Sequence, residues 1–179
     1  MNEDDRLENL LGAFALAVAD RLRGETEAAI GHTGAAAAAL LTIAQYPGRT
    51  VEFLRRPLGL SHPAAVRVVD RLVEQRLVRR RTAGRGPALA LAPTATGRRR
   101  AREILDLRQE VLANALPELS RAESATLSTI LERALARLTD SPRTTICRLC
   151  DTRRCRRADC PVVLKQRELG RPPPDPAPL

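Results

Sequence analysis

Apolar side chains recur at Leu7, Leu10, Leu11, Phe14, Val18 and Leu22, a helical spacing with a broad apolar face that predicts one long first helix. After Gly31 and Gly34 the run Ala35–Tyr46 is dense in Ala and Leu. It closes on Pro47-Gly48, the mark of a short buried helix ended by breakers. Thr50 leads into Val51-Glu52-Phe53-Leu54-Arg55-Arg56, room for two turns of helix, before Pro57 and Gly59 turn the chain. Ser61 then offers an N-cap hydroxyl, and Pro63 sits where a missing N–H costs little, so another helix starts there. Its apolar side carries Ala65, Val69, Leu72 and Val73. The opposite side carries His62, Ala64, Arg67, Val68 and Arg71, small residues near the start and guanidinium groups further along.

Leu77-Val78-Arg79-Arg80-Arg81, the turn-forming Ala83-Gly84-Arg85-Gly86-Pro87 and the run Ala88–Ala92 together predict a two-stranded hairpin with an arginine at its tip. Helix, turn, helix and basic hairpin make a winged helix-turn-helix, and the fold class expected is mainly α with a small β-hairpin wing. From Thr94 the pattern is helical again. Ile104, Leu105, Val111, Leu112, Ala115 and Leu116 form one apolar stripe up to Pro117, and Leu127, Ile130, Leu131, Ala134, Leu135 and Leu138 form another after the Ser120 cap. With the first helix, these stripes exceed what a small winged domain can cover. They are expected to meet their copies in a second subunit as a dimerisation bundle, the alternative being an ordinary intrachain bundle.

Charge sharpens the picture. Residues 51–102 hold thirteen arginines against three acidic residues, a net of +10, whereas residues 1–50 and 103–142 each carry −3 and residues 143–179 carry +5. Compositional bias accounts for arginine over lysine, since Lys165 is the lone lysine, but not for acidic segments on both sides of the block. A compact basic element is the footprint of a phosphate-backbone binder. Phe14, Phe53 and Tyr46 are the only aromatics, too few for the stacking platforms of single-strand binders, so duplex DNA is the expected partner. No run approaches the roughly 20 apolar residues of a membrane span, and the acidic start Met1-Asn2-Glu3-Asp4-Asp5 is unlike a signal peptide. A cytoplasmic protein without membrane contact is expected.

The segment Leu60-Ser61-His62-Pro63-Ala64-Ala65-Val66-Arg67-Val68-Val69-Asp70-Arg71-Leu72 resembles the recognition-helix signature of the MarR family of transcriptional regulators. Leu77-Val78, the wing with Arg85, and Thr94-Ala95-Thr96-Gly97 opening the next helix extend the resemblance over about residues 5–140. It implies a homodimeric regulator, a repressor, on a pseudo-palindromic operator, with a recognition helix in each major groove and a wing arginine in the minor groove. It also implies a small-molecule effector or oxidant that loosens binding. The DNA-contacting set is Ser61, His62, Ala64, Arg67, Val68, Arg71, Arg80, Arg81 and Arg85. Three departures stand out. Arg76 occupies the place of the family's glycine, so either a left-handed turn is held there at a cost of very roughly 1 kcal/mol or the helix ends differently. Gly84 precedes Arg85 where the family has an Asp-Arg pair. Apolar Ala64 and Val66 replace polar contacts, moving readout toward thymine methyls and onto His62, Arg67 and Arg71.

All four cysteines, Cys147, Cys150, Cys155 and Cys160, fall in one C-x2-C-x4-C-x4-C run that is foreign to the family pattern. Four thiolates on a short segment suit a tetrahedral zinc site or, alternatively, an iron–sulfur cluster, with metal-free thiols as the third reading. Arg148, Arg153, Arg154, Arg156 and Arg157 are expected to offset the thiolate charge. The domain organisation is then 1–142 for the DNA-binding and dimerisation part, with its DNA-binding core at about 34–97, followed by a metal-binding appendix over 143–164. A proline-rich, disordered tail completes it over 165–179. His32 and His62 offer no catalytic constellation, and no phosphate-binding glycine loop occurs, so no enzyme is expected. Three readings remain: a regulator with a metal or redox sensor, a regulator answering to a small apolar ligand with a structural cysteine site, and a zinc-stapled protein-interaction module.

Overall fold

The computed structural model describes residues 2–31, 34–82, 89–141, 145–155 and 158–170. Within them lie helices α1 (Glu3–Ile30), α2 (Gly34–Gln45), α3 (Val51–Leu58) and α4 (His62–Glu74). Strands β1 (Val78–Thr82) and β2 (Leu89–Pro93) follow, then α5 (Ala95–Ala113), α6 (Arg121–Leu138) and α7 (Pro161–Glu168). The two strands pair antiparallel, Val78 opposite Pro93 and Thr82 opposite Leu89. The order is the expected winged helix-turn-helix between long helices. The hairpin tip with Arg85, and the tail from 171, lie outside the described residues.

Helix α2 is the centre of the core. Ala36, Ala37, Ala39, Leu40, Leu41, Ile43 and Ala44 are buried against Leu54 of α3, Val69 and Leu72 of α4, Leu91 of β2, and Ala101, Ile104 and Leu105 of α5. Alanine lets these neighbours approach closely, and the leucines fill the space between them. Loop residues add to the sheet: Gly48 N–H donates to Leu91 O at 2.8 Å, and Leu91 N–H returns a bond to Arg49 O at 2.8 Å. The turn between α2 and α3 is thereby laced to β2 beyond the hairpin that the sequence pattern predicts.

Caps set the boundaries of the helix-turn-helix. Gly59 ends α3 in the left-handed conformation at φ 64°, one residue after Leu58, with Pro57 accommodated inside the last turn. Ser61 Oγ accepts from Ala64 N–H and starts α4. Helix α4 ends in a Schellman arrangement in which Leu77 N–H donates to Leu72 O, Arg76 N–H donates to Val73 O, and Arg76 sits at φ 58°. Of a left-handed turn and a different helix end, the turn is the one present, held by a residue with a Cβ.

The two C-terminal stripes differ. Ile104, Leu105 and Val111 of α5 are buried within this chain, where α5 packs on α1 and α2, which corrects the expectation that they await a second subunit. That helix also stops at Ala113, so Ala115 and Leu116 lie beyond it. Helix α6 buries nothing: Ile130, Leu131 and Leu138 are exposed, as are Leu7, Leu10, Leu11 and Phe14 of α1. These two faces remain without a cover in the single chain.

Candidate nucleic-acid interface and four-cysteine segment

Burying Ala65, Val69 and Leu72 against α2 turns the other side of α4 outward. Ser61, His62, Arg67 and Arg71 are exposed there, Ala64 is half-buried, and Val68 is half-buried with part of its side chain against the core. Arg67 and Arg71 form no ion pair with any described residue, so both guanidinium groups are free to meet an anionic partner. His62 Nδ1 stands 3.7 Å from Glu52 Oε2. The Arg55 hydrogen bond holds the Glu52 carboxyl below its usual range, against the opposing effect of desolvation. The first turn of α4 thus faces a carboxylate already engaged by Arg55.

On the wing the arginine run divides. Arg80 donates to Asp70 of α4 at 2.5 Å, so it ties the wing to the helix; Arg81 and its neighbour Arg79 are exposed without such a partner. Arg79 belongs with the basic surface although the sequence reading omits it. Thr94, the cap of α5, also closes this region. Its hydroxyl donates to Arg76 O at 2.7 Å, its N–H donates to Leu77 O at 2.9 Å, and its oxygen accepts from Gly97 N–H at 3.0 Å.

The four-cysteine segment docks onto this domain instead of hanging from it. Gln45 Nε2, at the end of α2, donates to Cys150 O at 3.0 Å, and Leu149 packs against the main core. Cys160, Val162 and Val163 form a second small core with Ile146 and with Leu135 of α6. The buried Asp151 takes two hydrogen bonds from the Arg153 guanidinium, at 3.0 and 3.1 Å, and one from Arg153 N–H. Arg154 approaches the same carboxylate at 3.5 Å. Arg153 and Arg154 therefore neutralise Asp151, which corrects their assignment to the thiolates; Arg156 and Arg157 lie outside the described residues. The cation that faces Cys150 and Cys155 is Arg108 of α5.

The thiols bear on one another's ionisation. Cys147 shares hydrogen bonds with both Cys150 and Cys160, and Cys160 with Cys155. The Cys147 bond lowers Cys160 to about 5, helped by the N–H groups of Val163 and Val162. The same donor lowers Cys150 to about 7. Cys147, as the donor to both, is pushed up, and burial raises Cys155 to about 11. No disulfide joins any of the four. Among the described residues no group of three or more His, Cys, Asp and Glu side chains stands ready to hold an ion.

Residues 30–86, from the end of α1 through the helix-turn-helix to the wing, match the model of the MarR family. Over this stretch the chain is similar to the MarR family of winged-helix transcriptional regulators. MarR-family proteins are DNA-binding regulators and not enzymes. The structure is similar to that of YusO from Bacillus subtilis, at 19% identity and TM-score 0.64 over 75% of this chain and 97% of that one. It is also similar to the Mycobacterium tuberculosis MarR family protein Rv2887 in complex with p-aminosalicylic acid, at 26% identity and TM-score 0.52, covering 69% and 97%. A Listeria monocytogenes putative MarR family regulator complexed with 26mer DNA matches at 21% identity and TM-score 0.56, covering 70% and 84%. No curated protein matches the sequence. The MarR match ends before the cysteine segment, and no described helix is long and apolar enough to cross a membrane.

Proposed function

We propose that this chain is a homodimeric repressor of the MarR family that lays α4 in the major groove of a pseudo-palindromic duplex operator and its wing in the adjacent minor groove. The observation that carries the reading is the outer face of α4, where Arg67 and Arg71 project unpaired between small residues while the inner face is locked to α2. Small residues let the helix approach the groove floor; the two guanidinium groups reach guanine edges or phosphates. Ser61, His62, Ala64 and Val68 line the same face, Arg81 and Arg79 meet the backbone from the wing, and Arg80 holds the wing at its angle through Asp70. Dimerisation covers the bare apolar faces of α1 and α6, and bringing two recognition helices onto one face of a duplex requires it.

Two finer elements complete the proposal. A small apolar effector weakens DNA binding, a reading supported by the likeness to the aminosalicylate-bound M. tuberculosis protein. The four-cysteine segment, read as a zinc site with an iron–sulfur cluster as the alternative, makes the regulator answer to metal or redox state.

The test is fluorescence anisotropy of the purified protein on duplex DNA enriched for its operator, over a range of salt concentrations. Arg67→Ala and Arg71→Ala should each weaken operator binding by about 1–3 kcal/mol and relax specificity at the contacted base. Arg81→Ala should weaken binding on all sequences alike and lower the salt slope by about 1. Unchanged affinity and specificity in both α4 variants would sink the assignment.

A further inference from the structure

We infer that residues 145–151 are a brace on the helix-turn-helix, and that they tie the setting of α4 to helix α6. The consequence for operator readout rests on the regulator reading above; the brace does not.

The need for a brace follows from α3. That helix is two turns long, carries Pro57 in its last turn and buries one residue, Leu54. A helix so short does not hold itself, so its angle to α4 is set by what packs on it. The joint between the two is Gly59, left-handed at φ 64°, with Leu60 N–H donating back to Arg55 O at 3.0 Å. One short stretch from the far end of the chain meets this joint, the core behind it and the end of α2. A Cβ built at Gly59 would stand 3.3 Å from the Thr145 methyl, tighter than ordinary van der Waals contact, so Thr145 sits directly on the turn. Leu149 packs against the main core, to which Leu54 of α3 and Val69 and Leu72 of α4 belong. Gln45, the last residue of α2, is buried and donates from Nε2 to Cys150 O at 3.0 Å. A buried amide that lost this acceptor would keep the cost of its desolvation, so the contact resists opening.

The stretch is also tied internally. Arg148 closes its first turn, N–H and guanidinium both donating to Thr145 O, at 3.2 and 3.1 Å. Cys150 N–H donates to Cys147 O at 3.0 Å, and the buried Asp151 carboxylate fixes the following turn by accepting from Arg153 N–H at 3.0 Å and from its guanidinium. Residues 145–151 therefore move as one body. Their other side leads to α6. Ile146, next to Thr145 in the chain, packs on the small core of Cys160, Val162 and Val163 that also seats Leu135 of α6. Helix α6 buries no residue of its own, and its main partner within the chain is α7, which begins at Pro161 beside that core. Thr145 and Ile146 thus place the α3–α4 turn and the seat of α6 one peptide bond apart, and a displacement of α6 reaches the recognition helix by a route that does not run through α5.

Amide hydrogen exchange of the full-length protein tests the brace. Gln45→Met removes the donor at nearly constant volume, and Leu149→Ala removes the packing; each should speed exchange in α3 and at Leu60 by about 10-fold while α5 keeps its protection. Leu135→Ala, on α6, should speed exchange at the same turn. A rise confined to residues 145–151 in the first two variants would overturn the brace, and a Leu135→Ala response confined to α6 and α7 would overturn the tie to α6. Wild-type protein decides the matter where a variant fails to fold: over a urea series the amides of Leu60 and Cys150 should open together, with one urea dependence, and separate openings would overturn the brace. On DNA, Gln45→Met should lose about 10-fold in operator affinity, as for one misplaced base contact, and keep its affinity for unrelated duplex and its salt slope, since no arginine is touched. Equal losses on both duplexes would overturn the positioning of α4. Wild-type protein that shows the joint opening and binds no duplex DNA would refute the regulator reading alone.

Discussion

Gly97 stands in the first turn of α5 with its Cα against the backbone of Leu77. A Cβ there would sit 1.9 Å from the Leu77 carbonyl oxygen and 2.9 Å from its carbon, and neither is the far end of a flexible side chain. Relief needs a shift of more than about 1 Å, since carbon and oxygen prefer to stay well over 3 Å apart. Leu77 O is also the acceptor for Thr94 N–H at 2.9 Å and for the Thr94 hydroxyl at 3.2 Å. Gly97→Ala therefore combines overpacking of about 1–3 kcal/mol with two weakened hydrogen bonds of about 1 kcal/mol each, against about 1 kcal/mol of helix propensity gained. The net expectation is a loss of about 2–4 kcal/mol, roughly 5–15 °C in the thermal midpoint of a chain this size. Gly24→Ala is the control: that glycine lies in α1 with nothing within 4 Å of a built Cβ, so it should gain up to about 1 kcal/mol. Urea titration of both variants measures the difference. A Gly97→Ala protein as stable as its parent would show that the α4–β1 connection yields freely, and the close approach would have no energetic meaning.

Arg76→Gly relieves the left-handed φ at the end of α4 and should raise stability by up to about 1 kcal/mol by the same titration. Leu149→Ala removes part of the contact between the cysteine segment and the main core; a loss of about 1–2 kcal/mol is expected for a half-buried leucine, with every thiol retained. Asp70→Ala removes the acceptor for Arg80 and should loosen the wing, read as faster amide exchange in β1 and β2 with α4 still protected. Ser120→Ala uncaps α6 and should lower its exchange protection. Glu123, held below the usual carboxylate range by the Ser120 hydroxyl and N–H, supports that cap above its unfolded pKa near about 4 and loses this role as pH falls through its lower folded value. The difference between Ser120→Ala and wild type should therefore shrink in acid.

Local signals carried the helix-turn-helix because its boundaries are written in single residues: Gly59 in a left-handed turn, Ser61 as a cap, Thr94 as the next cap. Partners are another matter. The stripes of α5 and α6 have the same periodicity, yet one is buried on α1 and α2 and the other is bare, since periodicity says that a face needs a cover and not which element supplies it. The same limit governs charge. Arg67, Arg71, Arg79, Arg80 and Arg81 are equivalent in composition, and only the chain's return past α4 shows that Arg80 is engaged by Asp70. The cysteine cluster was legible as chemistry but not as a place, because its seat on Gln45 is made across 105 residues. Those three gaps share one cause: each depends on a contact distant in sequence. Internal ion pairs must therefore be removed from a basic segment before its free cations can be counted, and those left on the outer face of α4 and the adjoining wing strand are Arg67, Arg71, Arg79 and Arg81.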